Sequence, residues 1–187
     1  MRVEYWLQVG KVKPEDLVFI DEMGISLSLD RTHARSPQGQ RAYDSKPYNP
    51  GERVSVIGAL ALKGFLDCMT LEGTTNSNVF QVFVDKILVK CLWEGAVVIM
   101  DNLSAHKAAI IEALIEQAGA RLIYLSPYSP DFNPIENCWS KLKAYLRSVA
   151  ARCRDSVETA LVNAIDSLTL KDIENWFTHC CYCTTRS

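Results

Sequence analysis

The chain has 187 residues, of which 48% are apolar and 22% charged, and a formal net charge of −2. Those values suit one globular domain with a real core and exclude a disordered chain. No apolar run approaches the ~18 residues that span a bilayer, and the start Met1-Arg2-Val3-Glu4-Tyr5-Trp6 lacks the apolar stretch of a secretory signal, so an intracellular protein is expected.

Residues 1 to 16 read as a short amphipathic lead-in, stopped near Pro14. The run Leu17-Val18-Phe19-Ile20 predicts a strand at 17 to 20, with Asp21 at its C-terminal end. Residues 26 to 53 are rich in turn formers, among them Pro37, Gly39, Pro47 and Gly51, and form a connection longer than is usual. Residues 53 to 62 and 65 to 71, on either side of Lys63-Gly64, read as a hairpin. Asn76 or Ser77 then caps a helix whose apolar residues Phe80, Phe83, Val84, Ile87, Leu88 and Cys91 recur at threes and fours. Ala96 to Met100 is a continuous apolar run, the mark of a strand buried on both faces, and Asp101 follows it. Ser104 is placed to cap a helix that ends at Gly119, and Arg121 to Leu125 is a further buried strand. A helix is predicted from Pro134 to about Val149, and two more near 156 to 168 and 170 to 180. The order predicts an α/β fold with a mixed sheet, an antiparallel hairpin first and parallel strand–helix units after it.

Seven cysteines, at 68, 91, 138, 153, 180, 181 and 183, are an odd and scattered set for a disulfide framework. The cluster His179-Cys180-Cys181-Tyr182-Cys183 lacks a CxxC pair and a second ligand cluster. All seven are read as reduced thiols.

Three acidic residues carry the chemistry. Asp21 and Asp101 each follow a buried strand, and in sheets with parallel neighbours ligands bind beyond the carboxyl ends of the strands. Adjacent, these two carboxylates would repel unless a proton or a cation lay between them. Oxygen ligands without Cys or His favour Mg²⁺, with Mn²⁺ as substitute. Glu136 lies in Ser129-Pro130-Asp131-Phe132-Asn133-Pro134-Ile135-Glu136-Asn137, with 34 residues between it and Asp101. It has two readings: the third metal ligand, or the partner of Asn133 in a capping box. It stands off the apolar stripe Ile135, Trp139, Leu142, Leu146 and Val149, in register with Ser140, Lys143 and Arg147. Two cations about 4 Å apart, held this way, would bracket a scissile phosphate and need no covalent protein–DNA intermediate. A net charge of −2 does not preclude a nucleic-acid partner, which needs only local positive charge. Residues 137 to 154 hold Lys141, Lys143, Arg147, Arg152 and Arg154 and no acid, and residues 31 to 53 hold Arg31, Arg35, Arg41, Lys46 and Arg53 against two acids. Each run also reads as a solvated face.

The segments LVFIDEMGI, VVIMDNLSAHK and LSPYSPDFNPIENCWSKLK closely resemble the catalytic domain of bacterial insertion-sequence transposases of the mariner superfamily, from about Leu17 to Tyr182. The resemblance implies a ribonuclease H-like, retroviral-integrase-like fold, with a lead-in at 1–16 and the catalytic domain at 17–187. It implies that Asp21, Asp101 and Glu136 are the catalytic, Mg²⁺-binding triad of a cut-and-paste transposase that inserts at TA dinucleotides. It further implies that the loop Arg31 to Gln40 corresponds to the family's insertion between the first two strands, which in relatives can contact DNA or a second subunit. Asn102, His106 and Asn137 match motif positions beside the triad, where they either hold the ligands by hydrogen bonds or cap helices and bond loops. Arg31, Arg35, Arg41, Lys107, Lys141, Lys143 and Arg147 are the expected DNA contacts.

Members of the family usually carry N-terminal helix-turn-helix modules, and this sequence begins 20 residues before Asp21. A separate helix-turn-helix polypeptide, or a truncated copy, is therefore expected. The expected partners are double-stranded DNA at element ends and target, and a second copy of the chain in a DNA complex. The expected location is the bacterial cytoplasm, at the nucleoid when acting. Two alternatives stay open: a structure-specific nuclease of the same fold, and an inactive relic or dominant-negative dimerisation partner.

Overall fold

The apolar run that opens at Leu17 becomes the central strand of a five-stranded sheet. The computed structural model describes residues 2–27, 35–41, 43, 53–101, 109–150 and 153–183. Expectations for Arg31, Asn102, Ser104, His106 and Lys107 fall outside those residues.

A first helix, α1, spans Arg2–Val9, and a single 3-10 turn at Pro14–Asp16 leads into β1, Leu17–Ser26. The hairpin follows as β2, Arg53–Ala61, and β3, Gly64–Glu72. Next come α2, Ser77–Phe83, a wider π turn at Val84–Leu88, and the short α3, Val89–Cys91. Asn76 is the residue that caps α2, accepting from the Val79 amide at 3.0 Å. The second half runs β4, Val97–Met100; α4, Ala109–Gln117; β5, Arg121–Tyr124; α5, Pro134–Val149; α6, Arg154–Asp166; and α7, Leu170–His179.

The sheet order is β3-β2-β1-β4-β5. The pairs β1–β2 and β2–β3 are antiparallel; β1–β4 and β4–β5 are parallel. The mixed sheet and its flanking helices are those expected from the element order. The boundary that differs most is that of β1. β1 does not stop at Ile20 but continues through Asp21 to Ser26, because β2 pairs with it along that whole length, from Val18↔Ala61 to Ser26↔Arg53. Ladder bonds from a neighbouring strand override the polar break that Asp21-Glu22 makes in the sequence pattern.

Alternation along β1 divides the core in two. Leu17, Phe19, Met23 and Ile25 face one side, with Tyr5 and Val9 of α1 and the apolar stripes of α5, α6 and α7. Val18 and Ile20 face the other, against Phe80, Phe83, Val84 and Leu88 and against Ile111 and Ile115 of α4. Among the described residues no helix is long and apolar enough to cross a membrane.

Candidate active site

Ile20 and Met100 are register partners on the parallel strands β1 and β4. The next residue on each chain is an aspartate, so Asp21 and Asp101 stand side by side at the point where β4 ends and β1 runs on. The adjacency that the parallel pairing would supply is therefore present. Glu136 arrives from a different element, the first turn of α5. Asn133 precedes that helix with extended backbone, and Pro134 occupies its first turn, where a missing N–H costs nothing. Asp21, Asp101 and Glu136 line one cleft of about 450 Å³, whose further wall is the segment from Leu125 to Pro130 together with Asn133.

The electrostatics of the cleft centre on Asp21. Burial, then the negative charge of Glu136, push its carboxyl up from the ordinary value of 3.8 to about 7. The two carboxyls are in hydrogen-bonding contact, the arrangement of acids that share a proton when no cation separates them. The indole Nε1–H of Trp139, one turn along α5 from Glu136, donates to Asp21 Oδ2 at 3.1 Å.

Asn133 does not form the capping box that the sequence allowed: its side chain makes no cap bond. It is 3% exposed, and its Oδ1 is buried with no partner among the described residues. A buried acceptor left unpaired costs ~1–3 kcal/mol unless something supplies positive charge or a donor. A divalent cation would answer both this orphan oxygen and the crowded Asp21–Glu136 pair, and every donor here is a hard oxygen. The residues thus fit such an ion. They do so pairwise: among the described residues no three His, Cys, Asp or Glu side chains are gathered tightly enough to hold one ion between them.

The loop that walls the cleft is fastened from both ends of the chain. Arg2 donates from Nε to Ser129 Oγ at 3.1 Å and from Nη2 to Asp131 Oδ1 at 2.7 Å, and its guanidinium lies 4.8 Å from the centre of the Phe132 ring. Tyr5 stacks on Phe132 at 5.8 Å. Tyr182 donates its hydroxyl to the Phe132 carbonyl at 2.6 Å, so in its short bond with Tyr5 it is Tyr5 that donates. At the tip of this loop Tyr128 is 98% exposed and has φ 56°. That left-handed backbone is costly for a bulky residue and tends to persist at functional sites.

Other expected residues lie elsewhere. Asn137 is not in the cleft wall; its amide donates weakly to Cys180 Sγ, 3.9 Å away. Lys141 is held by Asp172 at 2.6 Å, which keeps the Asp172 carboxyl down at about 2. Lys143 and Arg147 are half-buried along α5, and Arg35 and Arg41 are exposed. The cysteines near the C-terminus diverge: Cys180 is buried, Cys181 exposed and Cys183 half-buried. Sequence reasoning took Trp139 for core alone and passed over Arg2, whose contacts to Ser129, Asp131 and Phe132 are long-range, and Tyr128, which is exposed. Gly58, a glycine inside an apolar strand, was the one legible sign of close packing there.

Comparison with known proteins agrees with this geometry. A family model described as DDE superfamily endonuclease matches residues 16–158. No curated protein matches the chain. Among solved structures, the Mos1 transposase paired-end complex with left transposon end is similar with a TM-score of 0.74 at 16% identity, covering 96% of this chain and 58% of that one. The Mos1 mariner paired-end complex with Mn gives 0.71 at 19%, covering 95% and 57%. The catalytic domain of Mos1 mariner transposase gives 0.60 at 16%, covering 94% and 82%. At these identities the likeness is one of fold, and the chain spans under three fifths of the Mos1 chains in the complexes. With its mixed sheet and three carboxylates in one cleft, the chain belongs to the DDE superfamily endonucleases.

Proposed function

We propose that residues 17–187 are the catalytic domain of a cut-and-paste DNA transposase, with the 1–16 segment packed on it. The reading is carried by one observation: three carboxylates from β1, the end of β4 and the start of α5 line a single cleft. Asp21, Asp101 and Glu136 would hold Mg²⁺, or Mn²⁺ in its place, and Asn133 Oδ1 is placed to add a neutral oxygen. When bound, the ions supply Lewis-acid activation of the attacking oxygen and charge stabilisation at the leaving oxygen of a phosphodiester.

The chain's own residues do the rest. The Asp21 carboxyl, pushed up by burial and by Glu136, would hold an ion as the carboxylate, its proton passing to solvent. The loop fastened by Arg2 and Tyr182 keeps the cleft open to a backbone phosphate. Ser129 Oγ is committed to Arg2 and to the Pro127 carbonyl, 3.4 Å away, and the attacking group in this reading is water or a DNA 3′-hydroxyl. Tyr128 offers a ring at the rim, and exposed aromatics stack on bases. Lys143 and Arg147, further along α5, continue the track for a phosphate backbone, and Arg35 and Arg41 add charge before β2. The element ends would be found by a helix-turn-helix module, two copies of the chain would act in one DNA complex, and joining would occur at TA.

The test uses supercoiled plasmid and pre-cut duplexes with a free 3′-hydroxyl, each with Mg²⁺ or Mn²⁺. Nicking that Asp101→Asn abolishes, together with joined products at TA sites, is expected. Equal activity in wild type and Asp101→Asn overturns the assignment, and nicking without joined products identifies a nuclease instead.

A further inference from the structure

We propose that Trp139 is the positioning residue that sets the Asp21 carboxylate, and that Gly58 is the gap in the sheet that admits it. The inference rests on reading Asp21 and Glu136 as ligands of one metal site. Trp139 is a donor only. Its Nε1–H takes Oδ2 of Asp21 at 3.1 Å, which leaves Oδ1 unclaimed by the indole. The indole cannot swing away: it is 1% exposed and meets the Phe65 ring edge-on at 6.0 Å.

Room for it comes from β2. Gly58 is the register partner of Asp21, so any side chain there would project on the same face, beside the carboxylate. A Cβ at Gly58 would stand 2.6 Å from Trp139 Cη2 and 2.9 Å from Phe65 Cζ. Trp139 and Glu136 are three residues apart on α5, hence neighbours on its surface. One helix therefore places two of the three carboxylates, Glu136 through its own backbone and Asp21 through the indole. The spacing of that pair is set where α5 packs on β1, through the Trp139–Asp21 bond, and not by the loops around the cleft.

The test has a metal-free and a metal-loaded arm on the full chain. In ¹⁵N-indole NMR without metal, Asp21→Ala should move the Trp139 Nε1–H resonance more than those of Trp6, Trp93 and Trp176. An equal or smaller movement overturns the inference whatever the fate of the metal reading. In calorimetry with Mn²⁺, Trp139→Phe should weaken binding by roughly 10–100-fold, the usual loss when a residue behind a ligand is changed. Replacing Trp139 by its benzothienyl isostere, which keeps the shape and lacks the N–H, should weaken it similarly, and Gly58→Ala should do so while retaining the indole. Phe177→Leu, in the same core cluster, should lower thermal stability yet leave Mn²⁺ affinity within about twofold. If the isostere binds Mn²⁺ as wild type does, Trp139 is packing alone and the inference fails. If wild type binds no Mn²⁺, the metal reading fails, and the indole resonance still decides whether Trp139 holds Asp21.

Discussion

On the side of the sheet covered by α2 and α4, β1 presents Val18 and Ile20, and the neighbouring strands add Ile57, Ala59, Val98 and Met100. On the side covered by α5, α6 and α7, the same strand presents Leu17, Phe19, Met23 and Ile25, a row broken once, at Asp21. On the first face the row ends at Glu22 and does not resume, whereas on the second it resumes beyond Asp21 with the buried Met23 and Ile25, so only Asp21 is enclosed within an apolar row. A carboxylate in an apolar row is costly unless something there uses it. Here α5 meets the break with an indole N–H and a second carboxylate. The difference teaches that the site is a local exception in one layer of the core and not a separate structure laid on the surface.

The largest test of that contrast is substitution across the two faces. Asp21→Asn, Asp101→Asn or Glu136→Gln should each lower metal-dependent DNA cleavage by at least ~1,000-fold, as expected when a charge-stabilising group of the site is lost. Glu22→Gln, the next residue along β1 with its side chain on the opposite face, should cost less than tenfold in the same assay. Comparable losses at 21 and 22 would erase the distinction.

A second test uses stability. The Asp21 carboxyl is raised from 3.8 to about 7 in the fold, so the folded chain binds more protons than the unfolded one between those values. Its contribution to metal-free stability is therefore full below about pH 4, falls as pH rises, and is lost above about pH 7. Asn cannot ionise and still accepts from Trp139. Asp21→Asn should thus raise the metal-free Tm at pH 8 by several degrees, at about 2–4 °C per kcal/mol for a chain of this size. At pH 4 it should change little. Mn²⁺ should raise the wild-type Tm at pH 8 and leave that of Asp21→Asn nearly unchanged. A Tm difference independent of pH would mean that the break is not an ionising one.

Smaller effects are expected at the rim. Arg2→Ala removes the contacts to Ser129, Asp131 and Phe132 and should lower cleavage about two- to fivefold, because the Asp131 pair is half-exposed and weak in salt. The smallest effect concerns the cations of α5. Lys143→Ala and Arg147→Ala should each weaken binding to duplex DNA and reduce its salt dependence by about one charge. Lys141→Ala should do so less, since Asp172 already holds that ammonium. An equal loss at all three positions would show that the Asp172 pair opens on DNA.

Much of this was legible in the sequence. Continuous apolar runs marked β1 and β4 because strands buried on both faces cannot alternate, and the residue after each run is one that lines the cleft. Pro134 marked the start of α5, and its observed span Pro134–Val149 is the one expected. The lower half of β1 was hidden, since Asp21-Glu22 and Gly24 look like a strand's end until β2 is laid against them. The partner of Asp21 was hidden for another reason. Trp139 is 118 residues away and sits in an apolar stripe that fully explains it as core. Asn133 was misleading in the opposite sense. Its position and the glutamate three residues later fit a capping box, yet its oxygen stays unpaired beside the cleft. Local pattern names elements and their ends; it does not say which buried group will face which.

The central place of β1 has a consequence for how the domain fails. Over Leu17–Ile20 it is laddered to β2 on one edge and to β4 on the other, so its amides leading up to Asp21 open only when the sheet as a whole does. They belong to the slowest class in hydrogen exchange. The loop from Pro127 to Phe132 is tied down by α1 and Tyr182 and can loosen with far less unfolding. Mild heat should therefore silence the domain by releasing its cleft wall while Asp21 stays in place, and cooling should return activity without passage through the unfolded chain.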